Sequence, residues 1–404
     1  MLSVSLYNVL CLQILFLSNV LPYPLDAGPK VRAYYVLRAL AQRHDVSLIS
    51  FTRPSDTPAA LAHLRKMCGK VIALPISRAK WREPVYFAQS AAKHIPYLIA
   101  RDMRPEMFEA VRAECAANPP DVIHADQLSM AAYALDGAAK CRTLDEHNAV
   151  WRIVEHMRDA AANPITKMMY AREAGLMRGY EREMCGKFKH VFTVSEADRA
   201  ALGLLPGASS VVPICIDPDE YLVVEPNPAA SDVLFVGTVF YPPNVDAVMW
   251  FAKNSWPVIR QAHPAARFVI VGARPAPQIL ALAAQDSRII VKGYVPDLAE
   301  VLRGCAAFIA PIRAGAGMRV KILDAWARGV PVVSTTLGAE GIETTDGEDI
   351  LLADAPAAFA DAVMRLLARP DVRHQLARNA RAKVETRYNW RVRYDEVVRK
   401  IEEI

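Results

Sequence analysis

Charge is missing from the first 25 of the 404 residues, MLSVSLYNVLCLQILFLSNVLPYPL, and with it the basic n-region of a secretory signal. No small-residue cleavage site follows. Ser3, Ser5, Asn8, Gln13, Ser18 and Asn19 interrupt the stretch, short of the ~20 unbroken apolar residues that a spanning helix needs. It reads as a short extension over residues 1–10 and then a buried first strand, Leu12 to Ser18. The seven cysteines (11, 68, 115, 141, 185, 215 and 305) include no CxxC pair, and no histidine stands at zinc-finger spacing. Most lie in apolar runs, where a free cysteine packs as a small hydrophobe, and a reducing cytosol is the simplest compartment. Net charge is only +5, too little for a dedicated nucleic-acid binder. A GxGxxG turn with an acidic residue ~20 positions on is absent, which sets an ordinary dinucleotide dehydrogenase aside. There is no fixed-period repeat and no low-complexity tract.

What is present is a 53% apolar chain, too long for one hydrophobic core, since cores stop growing near ~250–300 residues. Short apolar runs alternate with longer amphipathic stretches: LQILFLS, DVSLISF, KVIALPI, DVIHAD, CRTLDEH and HVFTVS. After a Pro-rich stretch, VVEPNPAAS, the pattern restarts with DVLFVGTV, ARFVIVGA, SRIIVKGY, AAFIAPI and VPVVSTT. Apolar strands followed by helices specify parallel sheets. The expectation is an α/β protein of two doubly wound domains, residues 1–225 and 226–404, facing each other across a cleft. The final amphipathic helix, DEVVRKIEEI, is available to pack back on the first. Ligands of such sheets bind beyond the carboxyl ends of the strands, so the loops after each strand carry the chemistry.

The most informative loop is PIRAGAGMRVKILDAWARGVPVVSTTLGAEGI. Gly315 and Gly317 let the backbone approach a ligand, a helix N-terminus offers unpaired N–H groups, and Arg319 and Lys321 add positive charge. A diphosphate fits this arrangement. Asp324, one to two turns into the helix, reaches ribose hydroxyls, and Gly338, Glu340 and Gly341 form a second glycine loop at the next strand end.

The segment GAGMRVKILDAWARGVPVVSTTLGAEG resembles the signature of retaining family 4 glycosyltransferases of the GT-B fold. PYPLDAGPKVR, LDEHN, VSEADR and VLFVGTVFYPPNVDA follow the family's landmarks in order. The resemblance implies two Rossmann-like domains, the first on the acceptor side and the second binding a nucleotide-diphosphate sugar. It implies diphosphate contacts at Gly28, Gly315, Gly317, Arg319, Lys321 and Gly341, and a ribose contact at Asp324. The backbone of Gly293, Tyr294 and Val295 would read the base, and His147 and Glu340 would meet the transferred sugar. Three departures stand out. Ala316 and Asp324 occupy the positions of two family glutamates; YPPN follows Gly237 and Thr238 where the family carries two cations; and PICID replaces PNGVD. Arg319 and Lys321 are the cations left to take over the missing pair's duty.

Gly28 is followed by Lys30 and Arg32 at a helix start, a loop suited to a donor phosphate or an anionic acceptor. His124, in DVIHAD, is open to either a structural or a functional reading. The resemblance implies transfer with retention by front-face departure, the leaving diphosphate helping to deprotonate the acceptor. No DxD pair stands at a strand end, so neither a metal ion nor a cofactor is expected. Residues 63–104 are lopsidedly basic: Arg65, Lys66, Lys70, Arg78, Lys80, Arg82, Lys93, Arg101 and Arg104 outweigh Glu83 and Asp102, with Trp81, Tyr86, Phe87 and Tyr97 interleaved. Such a segment suits either a solvated face or the inner face of an anionic membrane. The expected partners are a nucleotide sugar and a saccharide or lipid-linked acceptor, without nucleic acid. Two other functions stay open: a nucleotide-sugar epimerase of the same fold, and a sugar-nucleotide sensor without turnover.

Overall fold

The computed structural model describes residues 11–404 apart from Ala162, Glu225, Pro226, Pro296, Ala316 and the side chains of Lys80 and Ala160. The expected extension at 1–10 and the departure at Ala316 lie outside the described residues. The chain divides into two compact units: Met1–Cys215 with Trp390–Ile404, and Ile216–Asn389.

Seven strands form the sheet of the first unit: β1 (Gln13–Ser18), β2 (Asp45–Thr52), β3 (Lys70–Pro75), β4 (Val122–Asp126), β5 (Cys141–Glu146), β6 (His190–Thr193) and β7 (Ser209–Val211). All pair in parallel, in the order β3-β2-β1-β4-β5-β6-β7. Helices cover both faces of such a sheet, so its strands read as near-continuous apolar runs rather than alternating ones. In β1 five of six residues are buried, Phe16 and Leu17 completely. The strand order reverses between β1 and β4, whose last residues, Ser18 and Asp126, stand in register. The helix Gly28–Ala41 starts with Pro29 in its first turn, where a missing N–H costs nothing. It buries Val31, Tyr35, Leu37 and Leu40, and also Arg32.

The C-terminal segment is part of this unit. Trp390 stacks on Tyr35 at 5.6 Å, and the Tyr394 hydroxyl accepts from the Cys215 N–H at 2.9 Å. The last helix, Asp395–Glu403, buries Val397, Val398 and Ile401 and pairs Asp395 with Arg43. Its apolar stripe, unexplained by an isolated helix, is thereby covered.

The second unit has six parallel strands: β8 (Asp232–Val236), β9 (Arg267–Val271), β10 (Ile289–Val291), β11 (Cys305–Ala310), β12 (Val332–Ser334) and β13 (Leu351–Leu352), in the order β10-β9-β8-β11-β12-β13. Phe235, Phe251, Trp256, Phe268 and Phe359 fill the core on one face of this sheet. Here the order reverses between β8 and β11. Both units thus have the doubly wound order, and each has a switch point where a ligand crevice is expected. No helix among the described residues is long and apolar enough to cross a membrane.

Candidate active site

The second unit brings two glycine loops together beside its switch point. The loop after β11 passes Gly315 (φ 105°) and Gly317 (φ 87°), both in the left-handed region that only glycine enters cheaply. It then enters the helix Val320–Ala327. The loop after β12 is clasped to it: the Thr335 hydroxyl bonds Ile312 O and accepts from the Gly338 N–H. A Cβ on Gly338 would stand 2.6 Å from Ala310 O, so close approach, and not φ, demands glycine there.

Cationic side chains fill the space these loops leave. Lys321 Nζ donates to Asn244 Oδ1 at 3.0 Å and lies 4.4 Å from the Phe235 ring centre. It stands 2.7 Å from where a Cβ on Gly237 would be, at the end of β8. Burial, with the charge of Arg319 added, pushes its ammonium down to about 7. Burial also lowers Arg319, against the attraction of the Glu340 carboxylate. Asp324 Oδ1 accepts from the Tyr221 hydroxyl at 2.7 Å; burial raises its carboxyl to about 6, opposed by Tyr221 and Arg328. Farther along the sheet, Gly293 (φ 64°) gives its carbonyl to the Gly272 N–H at 2.7 Å, and Tyr294 beside it is 71% exposed. Arg274 lies over the exposed ring of Phe240 at 4.1 Å. Two cations and a helix N-terminus at one switch point are an arrangement that suits an anion.

In the first unit, polar side chains gather at the ends of β1, β4 and β5. Asp126 bonds Ser18 Oγ through Oδ2 at 2.9 Å and His147 Nε2 through Oδ1 at 2.8 Å. With Nε2 engaged by Asp126, Nδ1 is the ring nitrogen of His147 left on the other side. Arg32 Nε donates to both oxygens of Asp145, at 2.9 and 3.0 Å, with Nη2 2.8 Å from Oδ1, and both side chains are wholly buried. Arg32 also donates to Val212 O at 2.6 Å and Pro213 O at 3.1 Å. Of the loop expected to meet a phosphate or an anionic acceptor, Arg32 is thus committed inside the first unit, to Asp145 and two carbonyls. Lys30 is likewise drawn to Asp26 at 3.0 Å and Asp56 at 3.8 Å. Asp126, Asp145 and His147 have ligand atoms within 4.8 Å of one another, a spacing that a cation would accept. Arg32 is paired with Asp145 of that group. His124 is a core residue, bonded to Thr143 Oγ1 at 2.8 Å and packed on Phe16, with burial lowering its pKa.

A family model described as group 1 glycosyl transferases matches residues 230–369, and one described as glycosyltransferase family 4 matches residues 27–220. The chain belongs to the group 1, family 4 glycosyltransferases. An uncharacterised 44.6 kDa protein in the cps region of Klebsiella pneumoniae is 23% identical over 399 residues, covering 93% of this chain and 96% of that one. Among solved structures, HepE of Anabaena in complex with UDP-glucose superposes with a TM-score of 0.67 at 13% identity, covering 97% of this chain and all of that one. Sucrose-phosphate synthase of Thermosynechococcus elongatus gives 0.71 at 17% identity, covering 97% and 98%. The fold of this glycosyltransferase is GT-B.

Of the residues singled out from the sequence, Gly315, Gly317, Arg319, Lys321, Asp324, Glu340 and Gly341 come together in the second unit of the glycosyltransferase. Gly293, Tyr294 and Val295 share that unit, at the end of β10. Gly28, which opens its helix, and His147 lie in the first unit. Asn244 and Tyr221 escaped sequence reasoning. Asn244 had left one signal, as the polar residue of the YPPN loop that stands where the family has cations. Tyr221 left none, being 103 residues from the aspartate it bonds.

Proposed function

We propose that the protein transfers a sugar from a nucleotide-diphosphate sugar to a saccharide or lipid-linked acceptor, with retention and without a metal ion, in polysaccharide or glycolipid assembly. The observation that carries this reading is the Lys321 ammonium, seated against Gly237 at the end of β8 and depressed to about 7 by burial and the charge of Arg319. A diphosphate would supply the counter-anion. HepE, similar in fold, was crystallised with UDP-glucose, which supports a donor of this class.

In this reading Lys321, Arg319 and the helix N-terminus bind the two phosphates, and the glycines at 315, 317 and 341 let backbone approach them. Asp324 accepts from ribose hydroxyls, held in place by Tyr221. The 293–295 backbone meets the base. Glu340 and His147 are assigned to the transferred sugar, and Gly28 to a phosphate, as the family resemblance implies. The bond from the anomeric carbon to the diphosphate oxygen breaks on the same face on which the acceptor oxygen bonds. The proton of the acceptor passes to the departing phosphate. The protein's contribution is orientation, and stabilisation of the charge growing on the leaving group. Among the described residues no pair of carboxylates at this site suits double displacement. For Glu340→Gln, transfer should slow by about tenfold or more while nucleotide diphosphate affinity stays near wild type. Equal loss of both would make the loop structural.

Contact with an anionic membrane is part of the proposal. Several of the basic residues in 63–104 are engaged within the protein: Lys70 with Glu114, Arg78 and Arg101 with Asp102, Arg104 with the Tyr86 hydroxyl. Support comes instead from exposed apolar side chains. Ile165, Met168 and Met169 lie at helical spacing on Pro164–Cys185, 51–68% exposed. Arg172, one turn on, lies over the exposed Phe87 ring at 5.5 Å. An apolar stripe edged with cations suits a lipid interface. Met168→Glu with Met169→Glu should abolish sedimentation with phosphatidylglycerol vesicles; unchanged sedimentation would reject this face as the contact.

Donor consumption with and without acceptor tests the function itself. A transferase hydrolyses donor slowly and accelerates when acceptor is added. Interconversion of two free nucleotide sugars without acceptor would instead mark an epimerase, and tight binding without either reaction a sensor.

A further inference from the structure

The second unit has a cavity at the end of its sheet away from the candidate diphosphate site. It measures about 320 Å³, near the lower limit for a small-molecule site. Cys305 lines it where β11 begins, and Pro331 just before β12, so it opens at the amino ends of the strands. Val223, Val224, Leu302 and Val330 make its walls apolar, while four arginines and a single glutamate, Glu385, stand among the lining residues. Two of the arginines are committed. Arg373 donates to the carbonyls of Ala230, Asn227 and Pro228 at 2.8, 3.3 and 2.8 Å, and Arg381 to Ala327 O and Glu385. Arg303 and Arg378 are exposed, and no carboxylate among the described residues pairs with either; Arg378 donates to Gln375 Oε1 at 2.8 Å.

That lining selects an anion with an apolar body. A guanidinium is a fork of N–H donors that matches a carboxylate or a phosphate, and the apolar walls take a ring or a short chain. A bare phosphate would leave the walls uncovered, and a neutral hydrocarbon would leave the two guanidinium groups unused. The cavity also touches the far end of the helix Val320–Ala327, whose start lies beside Arg319 and Lys321. Arg381 holds that end through Ala327 O, and the Val224 N–H holds it through Arg328 O at 2.9 Å. A Cβ on Gly329 would stand 3.3 Å from Val223 Cγ1, so Val223 packs closely on the turn that follows the helix. Two residues before Val223, the Tyr221 hydroxyl bonds Asp324. Leu222 and Val223 are nevertheless exposed, so this segment has little packing of its own. A molecule lying against Val223 and Val224 would hold the segment, and with it Tyr221 on Asp324, before a nucleotide arrives. Ordering that one ligand has already supplied need not be supplied by the next, which makes the two bind cooperatively.

We infer that this cavity is an effector site for a small amphipathic carboxylate or phosphate, held by Arg303 and Arg378, and that its occupant strengthens binding of the nucleotide diphosphate. The coupling rests on the transferase reading, whereas the cavity and its ligand class do not. Binding in the cavity and binding at Lys321 are therefore separable by experiment.

The test is calorimetric titration of the full chain with benzoate, octanoate and phenyl phosphate, and with inorganic phosphate and benzyl alcohol, which lack the apolar body and the charge respectively. At least one of the first three should bind to wild type, and equally to Lys321→Met, with the last two about tenfold weaker or more. Arg303→Glu with Arg378→Glu should weaken that binding about tenfold or more, with melting temperature and basal nucleotide diphosphate affinity unchanged. Saturation with the bound compound should tighten nucleotide diphosphate binding about fivefold or more in wild type and not in the double variant. Binding of none of the three, or binding indifferent to the double variant, would overturn the proposal. Loss of binding in Lys321→Met would also overturn it, placing the anion at the diphosphate site. Nucleotide affinity unchanged or weakened by the bound compound would overturn the coupling. A bound compound without any nucleotide diphosphate binding would keep the cavity site and remove the transferase reading together with the coupling.

Discussion

Lys321→Met should lose about ten- to hundredfold in affinity for the nucleotide diphosphate, the range expected when a charge-assisted hydrogen bond worth ~1.5–3 kcal/mol is removed. The effect has a pH signature that a merely structural lysine would lack. In the free protein the ammonium titrates near 7, because burial and Arg319 both disfavour its charge. A bound diphosphate favours the charged form, so binding takes up a proton above that pH. Affinity should therefore be full below pH 7 and fall as pH rises, by up to about tenfold per unit. In Lys321→Met that slope should vanish. Stability without ligand runs the other way. A lysine depressed in the folded state carries its full penalty below pH 7, and the penalty lifts as pH climbs toward the ordinary lysine value. Calorimetric titrations from pH 6 to 9 on both proteins, with melting curves alongside, check both signs. A flat wild-type profile would detach Lys321 from the phosphates.

Arg32→Met should destabilise the first unit by about 3–5 kcal/mol, the cost of leaving one partner of a buried ion pair uncompensated. At ~2–4 °C per kcal/mol for a unit of this size, its melting should fall by on the order of 10 °C. Burial by itself would raise Asp145, but the guanidinium of Arg32 outweighs it and holds the carboxyl below its ordinary range. The pair's contribution is thus present above the ordinary carboxylate pKa and lost as pH drops through the lowered value. Adding Asp145→Asn to Arg32→Met should recover part of the loss, since no charge then remains buried. Differential scanning calorimetry of the three proteins decides. A single variant that melts like wild type but binds donor poorly would return Arg32 to the ligand.

These two basic residues show where the sequence could and could not be read. Each stands just past a glycine loop at a helix start, and by pattern both are offered to an anion, Lys321 to a diphosphate and Arg32 to a phosphate or an anionic acceptor. Lys321 reaches an open strand end, whereas Arg32 meets an aspartate 113 residues away. Pairings over that separation belong to the sheet order, which local spacing does not encode. The strands themselves were legible wherever they are long and covered on both faces, as in QILFLS and CAAFIA. Ser209–Val211 and Leu351–Leu352 were not, because two or three residues at a sheet edge carry no period. Gly315, Gly317 and Gly341 were legible because left-handed backbone needs glycine. The partners that fix the site's charged groups, Asn244 on Lys321 and Tyr221 on Asp324, come from segments distant in sequence.

The central claim is a nucleotide diphosphate site at the β8–β11 switch point of the second unit. Calorimetric titration of the wild-type chain with uridine, guanosine, adenosine and thymidine diphosphates, each with and without Mg²⁺, tests it most directly. The account predicts tight binding of one base, unchanged by Mg²⁺ and weakened by Lys321→Met. Binding of none of the four, or binding that needs the metal and ignores Lys321, would contradict it.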